Sequence, residues 1–166
     1  MSTVERMAEE LATAQLALQA AVENIPGDRY GLQHGEDWSP AQVVAHAIEF
    51  QPFWARQIQR MVEERNPTIG RVDEAARQER VIAVKRGALL TRAQALLELR
   101  RSAHEALEQV RALSPDQLSR KGVLVTLDTG APQERTVEQL IASVLSGHLK
   151  EHTEQVQRMS KGPPRA

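Results

Sequence analysis

The 166-residue chain contains no cysteine. That single absence removes disulfides, thiolate metal ligands and a cysteine nucleophile together. Any sulfur chemistry then requires a thiol brought by a small molecule. No stripe of Lys and Arg runs along the chain, and the formal net charge is -1, so nucleic acid is not an expected partner. No apolar run reaches the ~18 residues of a membrane span. The first residues, Met1 to Arg6, lack the apolar core of a signal peptide, which makes a cytoplasmic location the expectation. There is no internal repeat and no low-complexity segment.

What is present is a globular balance, 41% hydrophobic and 26% charged residues, in a length that suits one domain with a real core. Residues 1–160 are expected to form it, with 161–166 (Lys-Gly-Pro-Pro-Arg-Ala) as a disordered tail. Four segments carry helical periodicity. Val4, Met7, Leu11, Ala14, Leu18, Val22 and Ile25 mark the first, which ends at Pro26-Gly27. Val43, His46, Phe50, Phe53, Trp54 and Met61 mark the second. Ala93, Leu96, Leu99, Ala103, Leu107, Val110 and Leu113 mark the third. Val137, Ile141, Val144, Leu145, His148, His152 and Met159 mark the fourth.

The helix starts agree with one another. Ser2/Glu5, Ser39/Gln42, Thr91/Gln94 and Thr136/Gln139 each fit the Ser/Thr-x-x-Glu/Gln capping box, in which two orphan backbone donors are satisfied reciprocally. Pro40 stands at a first helical position, where its missing N–H costs nothing. Pro52 falls inside the second helix and is expected to kink it. Residues 66–90 form a long connection whose Val81–Val84 stretch is a candidate short helix; a long crossover is one known wiring of a four-helix bundle. Ser114-Pro115-Asp116-Gln117 reads as a short capped turn. Val123–Leu127 is the strand-like run, followed by a turn at Asp128-Thr129-Gly130, and one such piece is not expected to build a sheet.

Three histidines carry the chemistry. His148 and His152 are one helical turn apart and about 40° apart on a helical wheel. His46 lies on the apolar side of the second helix. Two readings stay open from these residues alone: buried histidines bonded to backbone or water, or three imidazoles that hold a divalent ion and leave positions for water or substrate. Neighbouring imidazoles repel if both are protonated, and a metal gives a reason for them to stay neutral. His148-Leu149-Lys150-Glu151-His152 also matches H-x-x-E-H, but only 14 residues follow His152, leaving no room for the distant acidic ligand such proteases need. On that reading's bland counterpart, Lys150 and Glu151 are solvated. Di-iron bundles need paired Glu-x-x-His motifs, and Val43, Arg101 and Leu145 occupy the relevant positions before His46, His104 and His148. His34 and His104 read as surface or rim residues. Glu49, one turn after His46, is either an orienting group, a base, or a surface charge.

Trp38-Ser39-x-x-Gln42-x-x-x-His46, a long third helix, a short extended piece, and Thr136-Val137-x-x-Leu140 leading to His148-x-x-x-His152 together resemble the DinB-like proteins. These include DinB/YfiT-type metal-dependent hydrolases and low-molecular-weight-thiol transferases. The resemblance spans residues 3–159. It implies an all-α, up-down-down-up four-helix bundle with a long crossover between helices 2 and 3. It implies metal ligands His46, His148 and His152, zinc or nickel as the metal, and a homodimer. It also implies a bacillithiol- or mycothiol-type thiol as co-substrate, with transfer to, or hydrolysis of, a small electrophilic substrate. Two positions depart from the family pattern: Gln42 and Gln51 stand where acidic residues are frequent, and the second leaves the general base unidentified. The competing expectation is a non-catalytic ligand-binding or dimerising bundle whose metal is structural or absent.

Overall fold

The computed structural model describes residues 1–33, 35–125 and 130–162. Helices α1 (Thr3–Glu23), α2 (Pro40–Glu63), α3 (Glu74–Gly87) and α4 (Arg92–Arg111) precede a last rod made of α5 (Val137–Leu140), a π-helical segment (Ile141–Gly147) and α6 (His148–Lys161). Strands β1 (Thr68–Ile69), β2 (Lys121–Leu124) and β3 (Gln133–Thr136) complete it. No described helix is long and apolar enough to cross a membrane.

The capping boxes begin the helices where the sequence places them. Ser2, Ser39, Thr91 and Thr136 are the N-caps, and in each the Glu or Gln three residues on bonds back to the cap backbone. α2 continues through Pro52. α6 runs through Lys161, one residue into the expected tail, and Gly162 caps it with a φ of 70°. Residues 163–166 lie outside the described residues, as do His34 and the Asp128-Thr129 part of the expected turn.

Topology follows from the small sheet. β1 comes just after α2 and β2 shortly after α4, and the two strands pair in parallel, Thr68 with Val123 and Ile69 with Leu124. Parallel strands continuing two neighbouring helices require those helices to end at the same end of the molecule, so α2 and α4 run the same way. The crossover that returns the chain between them contains α3, which extends the candidate Val81–Val84 helix to 14 residues. β3 pairs antiparallel with β2 and leads directly into α5, so the last rod runs back. The result is the up-down-down-up bundle.

The expectation of no sheet is corrected. Non-local pairing supplies two partners for β2: the Thr68-Ile69 dipeptide and the polar Gln133–Thr136 segment, neither of which has strand periodicity of its own. The strand also begins earlier than the apolar run, at Lys121, because Gly122 allows β2 to lie flat on the bundle. A Cβ there would stand 3.0 Å from the Met61 side chain and 3.1 Å from the Pro67 carbonyl oxygen.

Leu11, Leu18, Val43, Phe50, Met61, Leu99, Leu145, Leu149 and Val156 are among the buried side chains of one continuous core. Two expected stripes are partly rotated. In α4 Leu99, Ala103 and Val110 are buried as expected, but Ala95, Ser102 and Ala106 join them while Ala93 is exposed. In the last rod Leu145, Leu149 and Val156 are fully buried, while Val144, His148 and Met159 lie at the edge of the core. The π-helical turn causes the second rotation: each of its residues advances less around the axis than in an α-helix, so a wheel drawn at 100° misplaces everything downstream.

A buried amide pair ties three helices. Gln15 Nε2 donates to Gln51 Oε1 (2.9 Å) and to the Ala103 carbonyl (2.8 Å), and Gln51 Nε2 donates to the Ala47 carbonyl (3.1 Å). Every polar group there needs its partner, because an unpaired one buried in apolar surroundings costs about 1–3 kcal/mol. Gln51→Glu, which restores the acidic residue frequent in the family, loses the donor to Ala47 and buries a charge. It is expected to lower stability by about 2–4 kcal/mol at pH 7 and by less at pH 5, where the carboxyl is more readily protonated. Urea unfolding at both pH values checks this, and equal stability of variant and parent would contradict it.

Candidate metal centre

His46 lies in the second turn of α2. Ser39 caps that helix, and Trp38, just before the cap, sets its ring edge-on to His46 with centroids 5.4 Å apart. Phe50, one turn on, stacks on His46 at 5.4 Å and meets His148 edge-on at 5.2 Å. An aromatic wall thus limits the rotamers of the His46 ring. His148 is the first residue of α6, directly after the π-helical segment, and His152 is one turn further.

The last rod and α2 bring all three rings together. His46 Nε2 is 3.3 Å from His148 Nε2, and His152 Nε2 is 3.1 Å from the same atom. One ligand atom from each of the three lies within 4.8 Å of the others. His46 and His152 are 6% and 8% exposed, whereas the His148 side chain is 38% exposed. His46 and His148 line an open crevice of roughly 780 Å³, with His152 buried beside them; its walls also include Trp38, Phe50, Trp54, Val84, Val144 and Glu151.

Hydrogen bonds on the far sides of the rings decide what the near sides offer. His148 Nδ1 is 3.1 Å from Glu151 Oε2, and His152 Nδ1 is 3.0 Å from Gln155 Oε1. A carboxylate or amide oxygen only accepts, so each Nδ1 carries the proton and each Nε2 keeps a lone pair. Two lone pairs then face each other at 3.1 Å, with the His46 ring nitrogen beside them. A ring proton can bridge only one pair of these nitrogens at a time, whereas one cation satisfies all three. Three nitrogens around a tetrahedral zinc at about 2.0–2.1 Å stand about 3.4 Å apart, close to the separations seen here. The residues fit a divalent ion.

The local electrostatics agree. Burial, foremost, and then the positive charges of Arg80 and the neighbouring imidazoles push the His46 pKa down to about 2. Burial also lowers that of His152, against the opposing bond to Gln155. Both rings are therefore neutral at pH 7, the form that ligates metal.

Several neighbours differ from expectation. Glu151 is solvated, as read, with its side chain 76% exposed, and it also orients His148. Gln155 plays the same part for His152. Glu49 does not reach His46; it pairs with Arg71, which also lies over the Phe53 ring at 4.0 Å. His46 Nδ1 and Glu49 Oε2 are buried without a hydrogen-bond partner among the described residues. The signal for the orienting groups was a repeated spacing: each histidine is followed three residues later by a carboxylate or amide, at Glu49, Glu151 and Gln155. Phe50 and Trp54 line the crevice, whereas Phe53 packs beneath Arg71. Gln51 is fully buried in its amide network and faces away from the chemistry. His104 is exposed and remote from the cluster.

Two outcomes follow from this geometry. Glu151→Ala is expected to weaken zinc binding about 10–100-fold while changing unfolding free energy by less than about 0.5 kcal/mol, since Glu151 is exposed. Calorimetric zinc titration and urea unfolding measure the two, and unchanged affinity would contradict the orienting role. In metal-free protein His46 and His152 are neutral when folded but charge below about pH 6.5 when unfolded. The unfolded chain then binds more protons, so stability is complete above about pH 6.5 and falls as pH drops, at about 1.4 kcal/mol per unit per imidazole. His46→Asn should flatten the dependence of urea midpoint on pH between 6.5 and 5; equal slopes would refute it.

Comparison with known proteins places the fold. The model of the DinB superfamily matches residues 10–156. YfiT from Bacillus subtilis, described as a "probable metal-dependent hydrolase with an unusual four-helix bundle topology", superposes with a TM-score of 0.70 at 20% identity, over 95% of this chain and 89% of that one. The sibling lethal factor precursor DfsB gives a TM-score of 0.74 at 15% identity, covering 100% and 99% of the two chains. The mycothiol-dependent maleylpyruvate isomerase gives 0.64 at 13% identity, covering 99% of this chain but 63% of its own. No curated protein matches. With the family match spanning nearly the whole bundle and both histidine-bearing helices, the chain belongs to the DinB superfamily.

Proposed function

We propose that this protein is a metal-dependent enzyme, a hydrolase or a low-molecular-weight-thiol S-transferase acting on a small electrophilic substrate. Its zinc or nickel ion would be held by His46, His148 and His152. The observation that carries this is the convergence of three Nε2 atoms, two with tautomers fixed by Glu151 and Gln155, at the floor of a crevice open to solvent beside His148. The descriptions of YfiT as a "probable metal-dependent hydrolase" and of the isomerase as mycothiol-dependent support the class.

A divalent ion bound there supplies Lewis acidity, which lowers the pKa of a bound water or thiol towards neutrality. The chain does the rest. Three neutral ligands leave the full positive charge of the ion uncompensated, which strengthens its pull on a proton. Phe50 and Trp38 hold the rings and keep bulk water from one side of the cluster. The absence of cysteine means that a sulfur nucleophile must enter through the crevice as a separate molecule.

A structural metal would make a different protein, and stability separates the two readings. The core closes on Leu145, Leu149 and Val156, below the histidines, and does not need the ion to be complete. Chelation is expected to abolish thiol conjugation or ester hydrolysis while the protein stays folded, with activity restored by zinc or nickel. Collapse of the fold on chelation would favour a structural metal. Identical rates with and without chelator would rule out the metal-dependent reading.

A further inference from the structure

The crossover helix covers the crevice with an unusual face. Arg77, Arg80, Val81, Val84 and Lys85 all line the crevice, at spacings that place them on one side of α3. A helix face turned towards a neighbouring helix is ordinarily apolar; in α3 Val84 is the buried residue. Gly87 holds this helix close to the metal centre. A Cβ there would stand 2.6 Å from the Cβ of Ala45, the residue before His46.

The cations divide by partner. Arg71, at the crevice wall, is neutralised by Glu49, and Arg77 pairs with Glu74 at 3.0 Å. Among the described residues Arg80 and Lys85 have no hydrogen-bond or ion-pair partner. Arg80 lies over the Trp38 ring, 5.5 Å from its centroid, and Trp38 in turn touches His46. A cation–π contact of this kind holds the guanidinium near the ring while leaving its N–H fork free for a planar anion. The acid on the crevice wall, Glu151, is already engaged with His148. Arg80 and Lys85 thus leave positive charge on the crevice wall that an entering anion would neutralise.

We propose that the small molecule taken by this crevice carries a carboxylate, held by the Arg80 fork with Lys85 beside it, its apolar body lying against Trp38, Trp54 and Val84. This deepens the reading of the crevice as a metal-dependent active site and rests on it for which end of the ligand reacts. The carboxylate anchor makes α3, the element inserted by the long crossover, the specificity determinant.

Trp38 and Trp54 are the two tryptophans of the chain and both line the crevice, so intrinsic fluorescence reports occupancy. Full-length protein, zinc-loaded and chelated, is titrated with 3-phenylpropionate and with the isosteric 3-phenylpropionamide. The acid is expected to bind at least about tenfold more tightly than the amide in both forms, the scale of a charge-assisted bidentate contact. Arg80→Gln should bring the acid to the level of the amide, Arg80→Lys should restore part of the difference, and Lys85→Gln should weaken the acid severalfold. Failure of the acid to bind, equal binding of acid and amide, or an undiminished preference in Arg80→Gln overturns the proposal. So does a preference that vanishes on chelation, because the anion would then sit on the ion. Zinc titration of the same samples keeps the two readings apart: an Arg80-dependent preference in a protein that binds no zinc would uphold the anchor and sink the metal centre.

Discussion

Three imidazole nitrogens with their lone pairs turned towards one another are the constraint on which this structure depends. Two of those lone pairs are forced, because Glu151 and Gln155 take the protons on the opposite sides of the His148 and His152 rings. Without a cation a single proton bridges only two of the three nitrogens, and burial disfavours charging His46, whose pKa is depressed. Folding therefore leaves a polar cluster beside the crevice whose demand a cation meets more fully. The core meets the cost with apolar packing of Leu145, Leu149 and Val156 on the adjoining face of the same rod.

The bundle's wiring delivers that constraint. His46 comes from a helix that runs parallel to α4, an arrangement possible only because a long crossover carries the chain back. The crossover is used twice: β1 within it clamps β2 at one end of the bundle, and α3 within it turns a cationic face towards the histidine cluster. At the start of the last rod, the π-helical segment rotates His148 to the edge of the core instead of its middle. An α-helical segment in that place would follow the ordinary wheel, and His148 would not stand at that edge. The centre is thereby open on one side and buried on the other, as a site that admits a small molecule must be.

Much of this was legible in the residues. The capping boxes located the starts of the four rods to the residue, since a cap is a local interaction that sequence spacing alone decides. The three histidines were legible because one-turn spacing survives in any α-helix. What escaped needed non-local or non-ideal geometry. The sheet pairs a dipeptide with one segment more than fifty residues away, and no periodicity in Thr68-Ile69 announces it. The π-helical turn breaks the assumption of 100° per residue on which the wheel depends. The partners of Glu49 and Arg71 lie 22 residues apart on different elements, so the sequence showed Glu49 as a charge one turn from His46 but not the arginine that claims it. Gln51 looked like a missing base, and its burial in an amide network is a tertiary fact.

X-ray absorption at the zinc edge, on protein purified without a histidine tag and loaded with one equivalent of zinc, tests the central claim most directly. Three imidazole nitrogens at about 2.0–2.1 Å plus one light-atom ligand is the predicted first shell, with one nitrogen lost in His148→Ala. Failure of the protein to retain zinc, or a shell with fewer imidazoles that His148→Ala leaves unchanged, would contradict it.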